Sequence, residues 1–371
     1  MAGVYIHIPF CKRICAYCDF YKSAQVRYLD EVVEQMHREL EERSSFLQDR
    51  QIETLYFGGG TPSLAPIAQL KGLVQRVGAI FDRNHWGEVT LEANPDDLTP
   101  EYLAGLREAG FNRLSIGIQS FDDRVLRWMN RRHTAAQAIE AVKEARRAGF
   151  ENLSVDLIYG VPETDEGHLE RNLEALLALD VEHISAYHLT IEPATALGRR
   201  MARGELQPVE ESVSEREYAR VDRFLTEAGY DHYEISNFAR EGFRARHNAA
   251  YWQGREYLGI GPGAHSFNGR ERCWSAATVE QYRQGEWLLE GERLTPEDRF
   301  NEYLMTGLRC REGISLEVIA ERFGAPLAEQ TRRLATVWLR EGGLLQEGAH
   351  LRIPTDHFLI SDAVIESLLE V

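Results

Sequence analysis

Tyr5–Phe20 reads YIHIPFCKRICAYCDF, with Cys11, Cys15 and Cys18 spaced CxxxCxxC directly after an apolar, strand-like run at Val4–Ile8. A zinc site usually takes four ligands, and its cysteines usually come in CxxC pairs. Three thiolates suit a different task. They hold three irons of a [4Fe-4S] cluster and leave the fourth open to a small molecule. Three free thiols or a partial zinc knuckle are the plainer alternatives that spacing alone leaves standing.

Beyond this stretch, a chain of 371 residues is long enough for two or three domains and a sizeable core. Its five cysteines are an odd number, and three fall within eight residues. That pattern is no disulfide framework; it points to a reducing compartment and a metal site, with Cys273 and Cys310 as free thiols. The net charge of −17 argues against a nucleic-acid partner. No apolar run approaches the ~20 residues of a membrane span, and the chain starts directly with a strand, leaving no room for a targeting peptide. The expected location is cytoplasmic.

Strand-like segments at Val4–Ile8, Thr54–Phe57, Val89–Glu92, Arg113–Ile118, Leu153–Ile158 and Ile184–Leu189 alternate with helical patterns near Arg27–Ser45, Ile67–Phe81, Pro100–Ala109, Ala135–Ala148 and Glu166–Leu179. Gly110 and Gly149, inside the repeated EAGF and RAGF, read as helix-ending glycines. Such βα units in series imply a parallel sheet with right-handed crossovers. They are too few for a complete eight-stranded barrel, so the expected fold is α/β: an open, partial (β/α)6 barrel. Strand phase locates its working face, because side chains alternate along a strand. Tyr5 and His7 share one face, opposite Val4, Ile6 and Ile8. Glu92 is in phase with Thr90, and Ser115, Gly117 and Gln119 share a face. Asp156 is polar in an otherwise apolar fifth strand. Polar groups therefore collect on one face or at the C-terminal strand ends, where α/β barrels carry their chemistry.

Phe57–Pro62 reads FGGGTP after the second strand, and successive glycines let backbone approach a ligand closely. Taken together, YIHIPFCxxxCxxCDF, FGGGTP, LEANP, GIQSFDDxVLxxMNRRHT and VDLIYGVP resemble, in order and spacing, the HemN/HemW branch of the radical S-adenosylmethionine (SAM) superfamily, over nearly the whole chain. The resemblance implies that Cys11, Cys15 and Cys18 bind a [4Fe-4S] cluster and that Tyr5 and Tyr17 lie against SAM. It further implies that Gly59, Gly60 and Thr61 form the glycine motif, and that Glu92, Gln119, Arg131 and Asp156 meet the polar groups of the cofactor. The chemistry suits those roles: a carboxylate such as Asp156 can accept from two ribose hydroxyls, and an arginine such as Arg131 can pair with the methionine carboxylate.

Within that branch, the dehydrogenases acting on coproporphyrinogen III carry a fourth cysteine, CxxxCxxCxC, and an N-terminal extension. Here the fourth position is Phe20 and the chain opens three residues before its strand. Both departures resemble the HemW-type haem chaperones. Arg246–Trp252, RHNAAYW, is similar to the HNxxYW haem motif of that group. His247 is thereby the candidate haem b ligand, Tyr251 and Trp252 the packing rings, and Arg244, Arg246 and Arg255 the partners of the propionates. His7 and His265, the latter in GIGPGAHS, are competing ligands. That glycine-rich stretch reads either as an anion-binding nest or as a closure of the fold. The implied function is haem binding and delivery to haem-receiving proteins, such as respiratory enzymes; a homodimer is compatible with it. The alternative is a radical SAM enzyme oxidising a tetrapyrrole side chain, and a third reading is a non-catalytic cluster-binding scaffold.

From Leu294 the character changes. Thr295-Pro296 opens a helix through Leu308, helical patterns follow at Ser315–Phe323 and Leu327–Glu341, and Leu344–Ile353 reads as a hairpin. This is a winged-helix-like order, but the segment is acidic, which fits packing on the barrel or a protein partner better than DNA. The expected divisions are residues 1–235, a connecting region 236–293, and a C-terminal domain 294–371.

Overall fold

The computed structural model describes residues 2–82 and 85–369. Strands β1 (Ala2–Ile8), β2 (Ile52–Gly59), β3 (Glu88–Ala93), β4 (Arg113–Gln119), β5 (Asn152–Tyr159) and β6 (His183–His188) pair in chain order, each parallel to the next. Helices Leu29–Glu42, Ile67–Ile80, Pro100–Glu108, Ala135–Arg147 and His168–Leu177 make the crossovers between them. Alternation decides which face each strand turns where. Val4, Ile6, Ile8, Leu55, Phe57, Leu91, Ile116 and Val155 are fully buried in the apolar cluster shared with those helices. The intervening residues line a polar barrel interior: Tyr5, His7, Thr54, Tyr56, Glu92, Ser115, Ser154, Asp156 and His183.

The sheet continues past both ends of this barrel. The hairpin β7 (Asp231–Glu234) and β8 (Asn237–Ala239) adds antiparallel to β6, while β9 (Tyr257–Ile260) adds parallel to β1. Strands β10 (His265–Phe267), β11 (Glu271–Ser275) and β12 (Leu289–Arg293) extend that second side antiparallel, giving twelve strands in the order β12-β11-β10-β9-β1-β2-β3-β4-β5-β6-β8-β7. The division expected at 235/236 therefore falls in the turn of the β7–β8 hairpin. Strands β8–β12, within residues 236–293, belong to the main sheet.

The GIGPGAHS stretch closes the fold. A Cβ on Gly259 would lie 1.9 Å from the His265 carbonyl oxygen, so only glycine permits the tight return from β9 to β10. The Gly261 N–H donates to buried Glu39 at 2.9 Å, so a carboxylate of the chain itself takes the place an anion would have in a nest. Arg43 donates to Glu39 (2.6 Å), to the Gly259 carbonyl (2.8 Å) and to Ser266 (2.8 Å). Tyr282 donates to the other Glu39 oxygen. One buried ion pair on the first helix thus ties down the whole β9–β10 edge.

The C-terminal part runs helix Pro296–Gly307, β13 (Ile314–Ser315), helices Leu316–Phe323 and Ala325–Glu341, then β14 (Leu345–Glu347) and β15 (His350–Arg352), in a three-stranded sheet ordered β13-β15-β14. Thr295 caps the first of these helices in a capping box with Asp298. The order is that of a winged helix, with a two-residue strand too short to register in the sequence pattern. The tail folds back, with the Tyr218 hydroxyl donating to the Thr355 carbonyl.

Arg43→Met strands Glu39 as an uncompensated buried charge. The expected cost is about 3–5 kcal/mol, read as a shift of the denaturant midpoint. A change under about 1 kcal/mol would show that the pair is not what anchors this edge.

Candidate cofactor site

The loop after β1 leaves the strand at Pro9 and returns to it at Ser23. The Ser23 N–H donates to the Pro9 carbonyl at 2.7 Å, and the Cys11 N–H donates to the Ser23 carbonyl at 3.0 Å. Its middle is held from outside by the Ala16 N–H on the Met129 carbonyl (2.9 Å) and by Asn130 on the Ile14 carbonyl (2.7 Å). Cys11, Cys15 and Cys18 line one cavity of about 360 Å³ at the C-terminal ends of the parallel strands. Tyr17, Gly59, Gly60, Thr61, Glu92, Gln119, Arg131 and Asp156 line the same cavity.

Each wall has a local cause. Gly59 has φ +107° and its Cβ would sit 2.7 Å from the His7 ring, while a Cβ on Gly60 would sit 2.6 Å from the Pro9 carbonyl carbon. These glycines let the second βα turn press against the root of the cysteine loop, with the Gly60 N–H on the Ile8 carbonyl at 2.8 Å. Gln119 ends β4 with φ +68°, a left-handed backbone that a non-glycine residue adopts at some cost. Glu92 accepts from the Tyr56 hydroxyl (2.8 Å) and the Gly59 N–H (3.1 Å). Burial pushes its carboxyl up to about 7, and burial raises that of Asp156, bonded to Ser115 at 3.4 Å, to about 6.

Arg131 faces the cavity, and its terminal nitrogens donate to Cys15 Sγ (3.3 Å), Asn94 Oδ1 (2.5 Å) and the Gly117 carbonyl (2.6 Å), while its buried Nε meets no partner among the described residues. Two expected residues sit differently from their sequence reading. Tyr5 is one layer below the cavity, stacked on Tyr56 and bonded to His7 Nδ1 at 3.1 Å. His247 is 1% exposed in the barrel interior. Its Nδ1 is 2.8 Å from Thr54 Oγ1, its Nε2 is 2.7 Å from the Tyr251 hydroxyl, and its ring stacks 5.1 Å from Tyr56. Neither nitrogen is open in this conformation, in which the ring packs and bonds within the interior. His7 is likewise engaged at both nitrogens. Of the three histidines weighed, only His265 is exposed, stacked on Trp274.

Asn94, Asn130, Arg132 and Lys22 also line the cavity without having been singled out. Asn94 stands two residues after Glu92 in the LEANP motif, which was signal enough; nothing around Lys22 marks it.

The donor set suits an iron–sulfur cluster. The three thiols share one cavity, yet no group of three or more His, Cys, Asp or Glu among the described residues converges on a single-ion site. Burial raises the Cys11 and Cys18 thiols. Donors already face two of the sulfurs, Thr61 on Cys11 (3.4 Å) and Arg131 on Cys15. Glu92, Asp156, Gln119 and the glycine turn then offer acceptors and backbone to a small polar molecule bound beside them.

The raised carboxyls fix a sign. Glu92 and Asp156 hold protons more tightly folded than unfolded, so they cost stability as pH rises from their unfolded values, near 4, through about 6–7. In the metal-free protein, Glu92→Gln should gain thermal stability over the parent between pH 5 and 7.5, and a gap that stays constant would remove Glu92 from the buried carboxyls.

The sequence profile of the Radical SAM superfamily matches residues 5–176, and that of the HemN C-terminal domain matches residues 294–355. The heme chaperone HemW of Mycobacterium tuberculosis (strain ATCC 25618 / H37Rv) is 38% identical over 379 residues, covering 99% of this chain and 94% of its own. That of Bacillus subtilis (strain 168) is 37% identical over 335 residues, covering 88% of each. The bovine mitochondrial radical S-adenosyl methionine domain-containing protein 1 is 33% identical, covering 99% of this chain and 87% of its own. Among solved structures, the coproporphyrinogen III oxidase HemN of Escherichia coli superposes with TM-score 0.85 at 24% identity, over 99% of this chain and 89% of its own, a likeness of fold. With near-full-length relatives above 30% identity and both profiles in place, the chain belongs to the radical SAM superfamily and, within it, to the HemW family.

Proposed function

We propose that this protein is a haem chaperone: it holds a [4Fe-4S] cluster on Cys11, Cys15 and Cys18, binds SAM over Gly59, Gly60, Thr61, Glu92, Gln119 and Asp156, and carries haem b to haem-dependent proteins. When bound, the cluster and SAM supply the redox chemistry of the superfamily. The chain's own part is to seat them out of water and present the haem.

The observation that carries this reading is the separation of two sites of different size. The cavity over the cysteines, about 360 Å³, is at the small end for a ligand site, and the cluster and SAM together would fill it. A second cleft, about 790 Å³, lies near the start of β9, which pairs with the start of β1, at the N-terminal end of the barrel. Tyr251, Trp252, Tyr257, Arg244, Arg255 and Arg272 are among its walls. Aromatic faces suit a planar ligand, while Arg244 is paired with Asp231 and Glu312 and Arg272 with Glu292 and Glu302, so a carboxylate-bearing ligand would have to exchange with these pairs. Tyr251 and Trp252 are the rings of the HNxxYW motif, and they face this cleft while His247 does not. Phe20, 71% exposed at the mouth of the cofactor cavity, stands where the dehydrogenases have their fourth cysteine.

Anaerobic haem titration of cluster-reconstituted protein should develop a Soret band, and the haem should pass to an added apo-protein. The same protein with reductant, SAM and coproporphyrinogen III should yield no protoporphyrinogen. Sustained protoporphyrinogen formation would establish the enzyme reading, and no haem binding would leave only a cluster-binding scaffold. Trp252→Ala should weaken haem about tenfold, in line with ~1.4 kcal/mol of lost ring contact, and leave the cluster untouched.

Alanine at Cys11, Cys15 or Cys18 should each abolish the cluster absorption, whereas Cys273→Ala and Cys310→Ala should keep it; iron and sulfide counts decide. Asp156→Ala should keep the cluster and lose about ten- to hundredfold in SAM affinity, the ~1.5–3 kcal/mol of one charged acceptor. Unchanged calorimetric affinity would take Asp156 out of the site.

A further inference from the structure

The three cysteines of the loop are not held alike. The Cys11 segment is fixed by its own N–H on the Ser23 carbonyl, and its sulfur receives Thr61. The Cys15 segment is fixed by Met129 and Asn130, and its sulfur receives Arg131. Among the described residues, Cys18 has no such anchor from a neighbouring element: its N–H reaches the Cys15 carbonyl within the loop, at 3.4 Å, and Asp19 and Phe20 beyond it are exposed. What stabilises this turn is one side chain: Lys22 Nζ donates to the Cys18 carbonyl at 2.6 Å and to the Phe20 carbonyl at 2.9 Å.

We propose that Lys22 is the positioning residue of the third cluster ligand and the uncompensated cation that tunes the cluster's reduction potential. This rests on the reading that Cys11, Cys15 and Cys18 hold the cluster. Lys22 lines the same cavity as the three thiols. No carboxylate among the described residues pairs with it, whereas Lys12 and Arg132 nearby are both taken up by aspartates. Its charge therefore acts on the thiolates. Three thiolates about a cluster make an anionic assembly, and reduction adds one more negative charge. A cation beside the cluster favours the more negative state, so it raises the potential. An ammonium that bonds only loop carbonyls does both jobs without being a ligand.

The test uses the full chain, reconstituted anaerobically, as Lys22→Met, Lys22→Gln and Lys22→Arg. Iron and sulfide per chain, the rate of iron loss to a chelator, and the midpoint from an electron-paramagnetic-resonance redox titration are measured. The thermal midpoint of the metal-free chain serves as the control for folding. Lys22→Met should lose iron several-fold faster than the parent and move the midpoint to more negative potential. Lys22→Gln, which keeps a donor and drops the charge, should shift the midpoint the same way with a smaller effect on iron loss, and it carries the test if the Met variant fails to fold. Lys22→Arg should match the parent. Parental iron retention and parental midpoint in both neutral variants would overturn the proposal. A parent chain that binds no iron and sulfide would overturn the cluster reading instead, an outcome visible before any variant is made.

Discussion

The neck at Ser23 is the constraint on which the site depends. One residue donates to the Pro9 carbonyl and accepts from Cys11, so a loop carrying three thiols is closed onto the end of a single strand. Pro9 ends β1 there, with no N–H to continue the ladder. The neck in turn dictates the next turn of the chain. Gly59 and Gly60 press on His7 and Pro9 at distances where no Cβ fits. The glycine motif is thus first a packing solution for the cysteine loop, and its open backbone is available to a ligand because of that packing. Loop and turn together form one rigid mouth over which β3, β4 and β5 project Glu92, Gln119 and Asp156.

Below that mouth the barrel interior is polar but largely uncharged. Burial lowers His7 to about 4 and His247 to about 3, and it drives His183 well down too, so all three are neutral. Each is engaged: His183, for example, meets Ser154 at 2.7 Å and Tyr233 at 2.8 Å. Arg113 is the exception, a cation 1% exposed. Its field opposes the burial penalty on Glu92 and Asp156. The two carboxyls, at about 7 and about 6, therefore titrate near neutral pH, where a cationic sulfonium or ammonium ligand would favour their charged forms.

Much of this was legible in the residues. The six strands and their five crossover helices follow from apolar alternation and from glycines after helices, because those signals are local. The cysteine spacing and the polar residues at strand ends mark the mouth for the same reason. The sheet extensions were not legible: β7–β12 run only three to five residues, too short for a period-two pattern to stand out. Nor was the direction of His247. A helix of seven residues, Arg246–Trp252, presents different residues to the interior and to the cleft, and only its docking, with the Arg246 and His247 N–H groups on Glu88, decides which. Lys22 was silent for a related reason. A lysine in an exposed-looking loop has no periodicity, and its role lies entirely in the two carbonyls it reaches.

The placement of His247 bears on how the proposed haem and cofactor sites would share one barrel. The ring stacks on Tyr56, which donates to Glu92 at the cofactor cavity, and it bonds Tyr251, which lines the cleft at the other end. An iron ligated by His247 must first break the Tyr251 contact and draw a fully buried imidazole out of its stack. Leaving one such buried group unpaired costs about 1–3 kcal/mol before any coordinate bond forms. Haem seated against Tyr251 and Trp252 incurs no such cost. On the proposed reading, haem would be held by its faces, a mode of binding that a recipient offering an axial ligand could reverse.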